Sequence, residues 1–303
     1  MTNLFKFNDY SLIEVGTKTN QPNYQQISID ISNNHEIDKF QSLILVSIEK
    51  SNDVATYAVN NGYTYDINHH ALTMEIRLTN KDIYGNGSTE TQTNNFDYVI
   101  FYNSIMEDKY KYNDKSLFYS SVELIDDFSH VYNESECYFI MPRTQQVNEG
   151  VNIGYTNIGV MLINSNNNSL TAYGKWKDSG NGGKSGGNYS GSYSGKPANI
   201  SFLAINKNIS YFTHNNSPII QVGYSTTGSN GIVTVNHNIS TDDYIIMLTP
   251  VVESETNEYI SILYTNKSKY SFSVKASYKD GNNDADGGGT KAINFYWGVI
   301  KNF

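Results

Sequence analysis

Cysteine is almost missing from this chain, and so are the residues that build long helices. The single thiol, Cys137, excludes an intrachain disulfide. It stands in the apolar run Cys137-Tyr138-Phe139-Ile140-Met141 and reads as a small core residue rather than a reactive group. A lone thiol suits a chain folded in a reducing cytosol. Ala and Leu are sparse, which argues against long helices. No basic run occurs, and 30 acidic against 21 basic residues leave a net charge of −9. Such a chain has no electrostatic footprint for nucleic acid and is equally unsuited to anionic membrane surfaces. No window approaches the roughly 18 apolar residues of a membrane helix. The start, Met1-Thr2-Asn3-Leu4-Phe5-Lys6, lacks a charged head followed by an apolar stretch, so no secretory signal is expected. Export would then need another route, such as lysis.

What fills the chain instead is Tyr (25 residues), Phe (13), Asn, Ser, Thr and Gly. Aromatic and β-branched residues fit a pleated sheet and supply buryable area, whereas Asn and Gly tolerate positive φ in turns. The apolar fraction of 38% is enough for real cores. A length of 303 residues allows two or three domains.

A divergent internal repeat organises the chain. Ser11-Leu12-Ile13-Glu14-Val15-Gly16 resembles Pro218-Ile219-Ile220-Gln221-Val222-Gly223. Each is followed by a polar stretch and an alternating strand, Ile27 to Ile31 and Ile232 to Asn236. An apolar strand comes next, Leu43 to Ile48 and Tyr244 to Pro250. In the weaker middle copy, Ser121-Val122-Glu123-Leu124-Ile125 is taken as the alternating strand and Tyr138 to Pro142 as the apolar one. Each copy closes on an aromatic or aliphatic strand: Phe96 to Asn103, Ile200 to Asn206, and Ile293 to Ile300. The expected fold is all-β, three tandem antiparallel β-sandwich domains of about 100 residues each. Their boundaries are 1–105, 106–210 (with a long Gly-rich loop) and 211–303. Alternation such as Tyr270-Ser271-Phe272-Ser273-Val274 predicts one face in a core and one in water. The charged stretch Ser104 to Ser116 reads as a strand-poor linker or a short helix.

The last copy also resembles a known family. Pro218 to Gly223, the strand at Val233, Ile245-Ile246-Met247-Leu248-Thr249-Pro250, the strand through Phe272 and the ending Phe295-Tyr296-Trp297-Gly298-Val299-Ile300 carry the likeness. Together they look like the small C-terminal domain of bacteriophage tail-fibre proteins, which is similar in fold to the six-stranded H-type lectins. The resemblance covers the last part of the chain, and the first two copies share it only through the repeat. It implies a virion component that presents β-sandwich surfaces, a tail fibre or another surface fibre or adaptor. It further implies a homotrimer, with other virion proteins and a host cell-surface glycan as partners. A pseudo-trimer of the three copies within one chain is the second arrangement. A free carbohydrate-binding, lectin-like module is the alternative function.

Catalytic motifs are weak. Gly183-Lys184-Ser185-Gly186-Gly187 has the spacing of a serine nucleophile elbow but lacks the strand and helix that chemistry needs. Asp178 stands where a phosphate-binding loop needs its first Gly. Asp280 to Asp286 has the alternate oxygens of a calcium loop, yet Ala285 and Lys291 replace the required Gly and Glu. His69-His70 point to opposite faces of a strand, and His130 and His237 fit turn hydrogen bonding. Asp126-Asp127 and Asp242-Asp243 suit turns better than paired catalysis. No enzyme activity, catalytic residue, metal or cofactor is therefore expected. The Gly180 to Gly195 loop is rich in Gly, Ser, Asn and Tyr, the residues paratopes use, so Trp176, Tyr189 and Tyr193 are candidate ligand contacts. A plain flexible hairpin tip is the other reading of that loop.

Overall fold

The computed structural model describes backbone in the strands named below, and side chains at 15–17, 97, 99, 205–211, 213, 215–251, 260, 262–278 and 289–302, except at 212, 214 and 261. Among these residues no helix is long and apolar enough to cross a membrane. The first stretch holds β1 (Asn3–Phe7), β2 (Tyr10–Pro22), β3 (Gln25–Asp30), β4 (Leu43–Glu49), β5 (Thr56–Asp66), β6 (Ala71–Asn80) and β7 (Thr93–Phe101). The middle holds β8 (Lys111–Tyr112), β9 (Lys115–Ser116), β10 (Phe118–Leu124), β11 (Phe128–Val131), β12 (Cys137–Gln146), β13 (Thr156–Asn166), β14 (Ser169–Asp178), β15 (Gly186–Tyr189) and β16 (Ala198–Asn206). After a 3-10 turn at Lys207–Tyr211 come β17 (Thr213–His214), β18 (Ser217–Pro218), β19 (Ile220–Thr226), β20 (Ile232–Asn236) and β21 (Tyr244–Val252). The last strands are β22 (Glu258–Ser268), β23 (Ser271–Asp280), β24 (Gly288–Gly289) and β25 (Asn294–Lys301).

The C-terminal region is all-β, as its composition predicts. Strands β19, β25 and β21 form one antiparallel sheet with β25 in the middle. Strands β20, β23 and β22 form a second, with β23 in the middle. Between them lies an apolar core of Val235, Ile246, Leu248, Phe272, Val274, Phe295, Trp297 and Val299. Phe272 meets Trp297 edge to face at 6.2 Å, a geometry aromatic pairs favour. On β23 the expected alternation holds: Phe272 and Val274 are buried, whereas Ser271 and Ser273 are partly exposed and Tyr270 is exposed.

Strands β21 and β25 behave differently. Every residue from Tyr244 to Val251 and from Phe295 to Ile300 is buried. The core takes only alternate positions, so Ile245, Met247, Tyr296 and Ile300 are covered on the opposite face. Strand β12 runs against β19, β21 and β25. An antiparallel sheet buried on both faces reads in sequence as a continuous apolar run, which is what Tyr244 to Pro250 is.

Pairing elsewhere follows one order. In the first stretch β7 lies between β2 and β4, and β6 between β3 and β5. In the middle β16 lies between β10 and β12, and β14 between β11 and β13. This corrects the sequence reading of Ser121 to Ile125. Strand β10 pairs with the closing strand β16, the place held by β2 and β19, and β11 pairs with β14 as β3 does with β6. The period-2 pattern alone does not tell which neighbour a strand takes. The Lys111 to Ser116 part of the charged stretch is a short hairpin, β8 with β9, rather than helix.

Turn chemistry sets the ends of these strands. Asn215 and Asn216 both have positive φ (50° and 61°), the two-residue hairpin geometry that joins β17 to β18. Gly231 has φ 75°, and a Cβ there would lie 2.3 Å from the Ala276 carbonyl oxygen. Only glycine fits that close approach. The Gly231 carbonyl accepts from Ala276 N–H at 2.8 Å and so fixes the start of β20 against β23.

Candidate functional site

Three polar constellations are placed by this framework. The first begins on β7. Asp97 sits in the middle of an otherwise aromatic and aliphatic strand and is 2% exposed. A buried carboxylate is costly unless hydrogen-bonded. Thr17 Oγ1 donates to Asp97 Oδ1 at 2.7 Å, and Tyr264 Oη donates to Oδ2 at 2.7 Å. Thr17 and Asp97 are cross-strand partners on β2 and β7, whereas Tyr264 comes from β22, 167 residues away. The Tyr264 hydroxyl is buried with the carboxylate and Thr17 is exposed, so the pair of bonds ties β2, β7 and β22 together at the protein surface.

The second is a corner beside β21. His237 is 3% exposed, and its Nδ1 accepts from Ile239 N–H at 3.3 Å. That acceptor role assigns the ring proton to Nε2, which has no hydrogen-bond partner among the described residues. Burial, helped by the Lys267 ammonium, lowers the imidazole pKa to about 4. His237 packs edge to face on Tyr244 at 4.4 Å. Tyr244 shares its hydroxyl proton between the carbonyls of Ser268 and Ser271, both at 2.9 Å, and Lys267 Nζ lies 4.7 Å from its ring centre. Burial raises the phenol pKa above its ordinary value. The turn hydrogen bond expected of His237 is the one its Nδ1 makes.

The third is the turn before β21. Asp242 and Asp243 are exposed. Asp243 N–H donates to Thr241 Oγ1 at 3.1 Å, and Asp243 Oδ1 accepts from Asn302 Nδ2 at 2.8 Å. Its carbonyl accepts from Asn302 N–H at 3.1 Å. Asp243 thus ties the turn to the end of β25, the structural role its sequence position suggested.

Among the described residues no three His, Cys, Asp or Glu side chains gather to hold a metal ion. Of the ligand candidates, Trp176 lies on β14 opposite Gly187, and Tyr189 lies on β15 opposite Gly174. The ladder therefore brings Trp176 and Tyr189 within two register positions of each other. Tyr193 lies outside the described residues, as do Gly183 to Ser185, His69-His70, Asp126-Asp127 and the centre of the Asp280 to Asp286 loop. The half-exposed Tyr224 was not singled out in sequence. It stacks edge to face on Tyr296 at 5.1 Å at the outer strand of its sheet. Asp97 was missed as well, although an acid inside an aromatic strand was its visible signal.

Comparison of the chain with protein families, curated proteins and solved structures finds no match.

Proposed function

We propose that the protein is a non-enzymatic surface component of a bacteriophage or phage-like particle, a tail fibre or other surface fibre or adaptor. Its three tandem sandwiches present loops and strand faces to other virion proteins and to a host cell-surface glycan. The observation that carries the reading is the recurring strand order. Strands β7, β16 and β25 lie between β2 and β4, β10 and β12, and β19 and β21, and strands β6, β14 and β23 lie between β3 and β5, β11 and β13, and β20 and β22. That order, met in each of the three stretches, supports three copies of one sandwich. The resemblance of the last copy to tail-fibre C-terminal domains supports the particle role. Polar groups that a catalytic reading would recruit, His237, Asp243 and Asp97, are engaged in turns and buried bonds.

The test is incorporation. An epitope-tagged chain expressed during particle production is expected to co-sediment with purified particles at constant stoichiometry. Particles of full infectivity that lack the chain would overturn the reading.

A free lectin-like module is the second reading, favoured by the exposed Tyr224 against Tyr296 and by the nearness of Trp176 to Tyr189 in the β14–β15 ladder. It predicts glycan binding by the isolated chain that weakens on Trp176→Ala or Tyr189→Ala. Flat responses across a broad glycan panel would remove it.

A further inference from the structure

We infer that the chain closes on itself into a three-part ring, locked where the Asp97 carboxylate joins the first stretch to the last. Two seams are parallel, unlike the antiparallel pairing inside each stretch. Strand β13 joins β21 through Leu162 opposite Val251 and Ile163 opposite Val252. Strand β22 joins β4 through Tyr264 opposite Glu49. In both, a partner of β14 or β23 in one stretch meets a partner of β25 or β7 in another: middle to last, then last back to first. Strand β5 packs, without a ladder, against β12 and β13 of the middle stretch and also against β22. The two parallel seams join middle to last and last to first, and the packing of β5 on the middle stretch joins first to middle, which completes the circle.

The lock sits one strand in from the closing seam. Asp97 pairs with Ser47 of β4 across the sheet, and β4 is the strand that meets β22. Tyr264 is 1% exposed and belongs to the core of the last sandwich, yet its hydroxyl leaves that core to reach Asp97. A buried carboxylate that gains the Tyr264 bond on docking, beside the one it takes from Thr17, favours that docking over others. The outer faces of β21 and β25 are covered inside the same chain. A single-copy sandwich would offer such faces to sister subunits. The partner that fits the Tyr264 edge is therefore this chain's own first stretch, and the working unit is one chain rather than a homotrimer.

This closure rests on the three-copy reading proposed above. Particle incorporation tests the particle role, whereas closure is read on the isolated chain whatever particle it serves. Light scattering after size exclusion is expected to give the 34.1 kDa mass of one chain; a trimer mass would overturn the inference. Hydrogen exchange then follows Asp97→Asn, with Asp97→Ala as the stronger variant. Amides of 43–49 and 258–268 are expected to exchange faster together, by about tenfold, while β20 and β23 keep their protection. Acceleration confined to β7 would overturn the lock. Tyr264→Phe added to Asp97→Asn is expected to cost far less than Tyr264→Phe alone, and full additivity would sink the pairing. Should the Asp97 variants fail to fold, the mass of the native chain and of Tyr264→Phe still decides.

Discussion

Gly223→Ala is a one-methyl change whose cost can be worked from distances. A Cβ on Gly223 would lie 2.3 Å from Cζ2, 2.5 Å from Cε2 and 2.9 Å from Nε1 of Trp297. Ordinary contact is more than an ångström longer. The indole is the cross-strand neighbour of Gly223, is 7% exposed and is wedged edge-on against Phe272. Its Nε1 donates to Ser225 Oγ at 3.1 Å. Retreat would break that bond and disturb the aromatic packing. Overpacking of this kind costs about 1–3 kcal/mol, and loss of the hydrogen bond adds about 1 kcal/mol. The expected destabilisation is ~2–4 kcal/mol. Urea unfolding followed by fluorescence should show a lower midpoint with an unchanged slope. In a Trp297→Leu background, itself destabilised, the same Gly223→Ala change should cost under ~1 kcal/mol because the obstructing atoms are gone. A neutral Gly223→Ala, or an equal cost in both backgrounds, would refute the reasoning.

Acid should weaken the C-terminal sandwich through His237. Its folded pKa, about 4, lies below the ordinary histidine value of 6.5, so the unfolded chain binds the proton more readily. Stability is full above pH 6.5 and falls towards pH 4, by ~1–3 kcal/mol; urea midpoints across that window should lose this slope in His237→Gln. Phe272→Ala empties the centre of a core in which the ring is fully buried. It should cost ~3–5 kcal/mol in the same unfolding assay. Gly231→Ala combines a positive φ with a 2.3 Å clash against backbone. A loss of at least ~2 kcal/mol is expected, together with faster exchange of the Ala276 amide that the turn holds.

Much of the C-terminal fold was legible because local rules agree there. Tyr270 to Val274 alternates and has one wet face, and the Asn215-Asn216 turn carries the residues its positive φ values demand. The core aromatics Phe272, Phe295 and Trp297 stand in the strands expected of them. What escaped depends on partners distant in sequence. Gly223 looks like any strand glycine until Trp297 is set opposite it. The run from Tyr244 to Pro250 was visible, but its second buried face depends on β12, a strand of the middle stretch. Strand β10 was misassigned because alternation states how a strand is faced, not which strand it joins. Trp176 and Tyr189 were chosen for composition, and the β14–β15 register brings them near without any signal of what they touch.

The bond between Asp97 and Tyr264 has a consequence for biosynthesis. At typical translation rates of about 5–20 residues per second, the 167 residues between them take on the order of ten seconds or more to be made. Through that interval β4 waits on the ribosome without β22, and Asp97 without Tyr264. An apolar strand with an unpaired edge is a template for the same edge on another nascent chain. Crowded polysomes making this protein at high level should therefore favour intermolecular pairing of neighbouring copies at β4. Slowing initiation, which spaces the nascent chains apart, would raise the soluble yield.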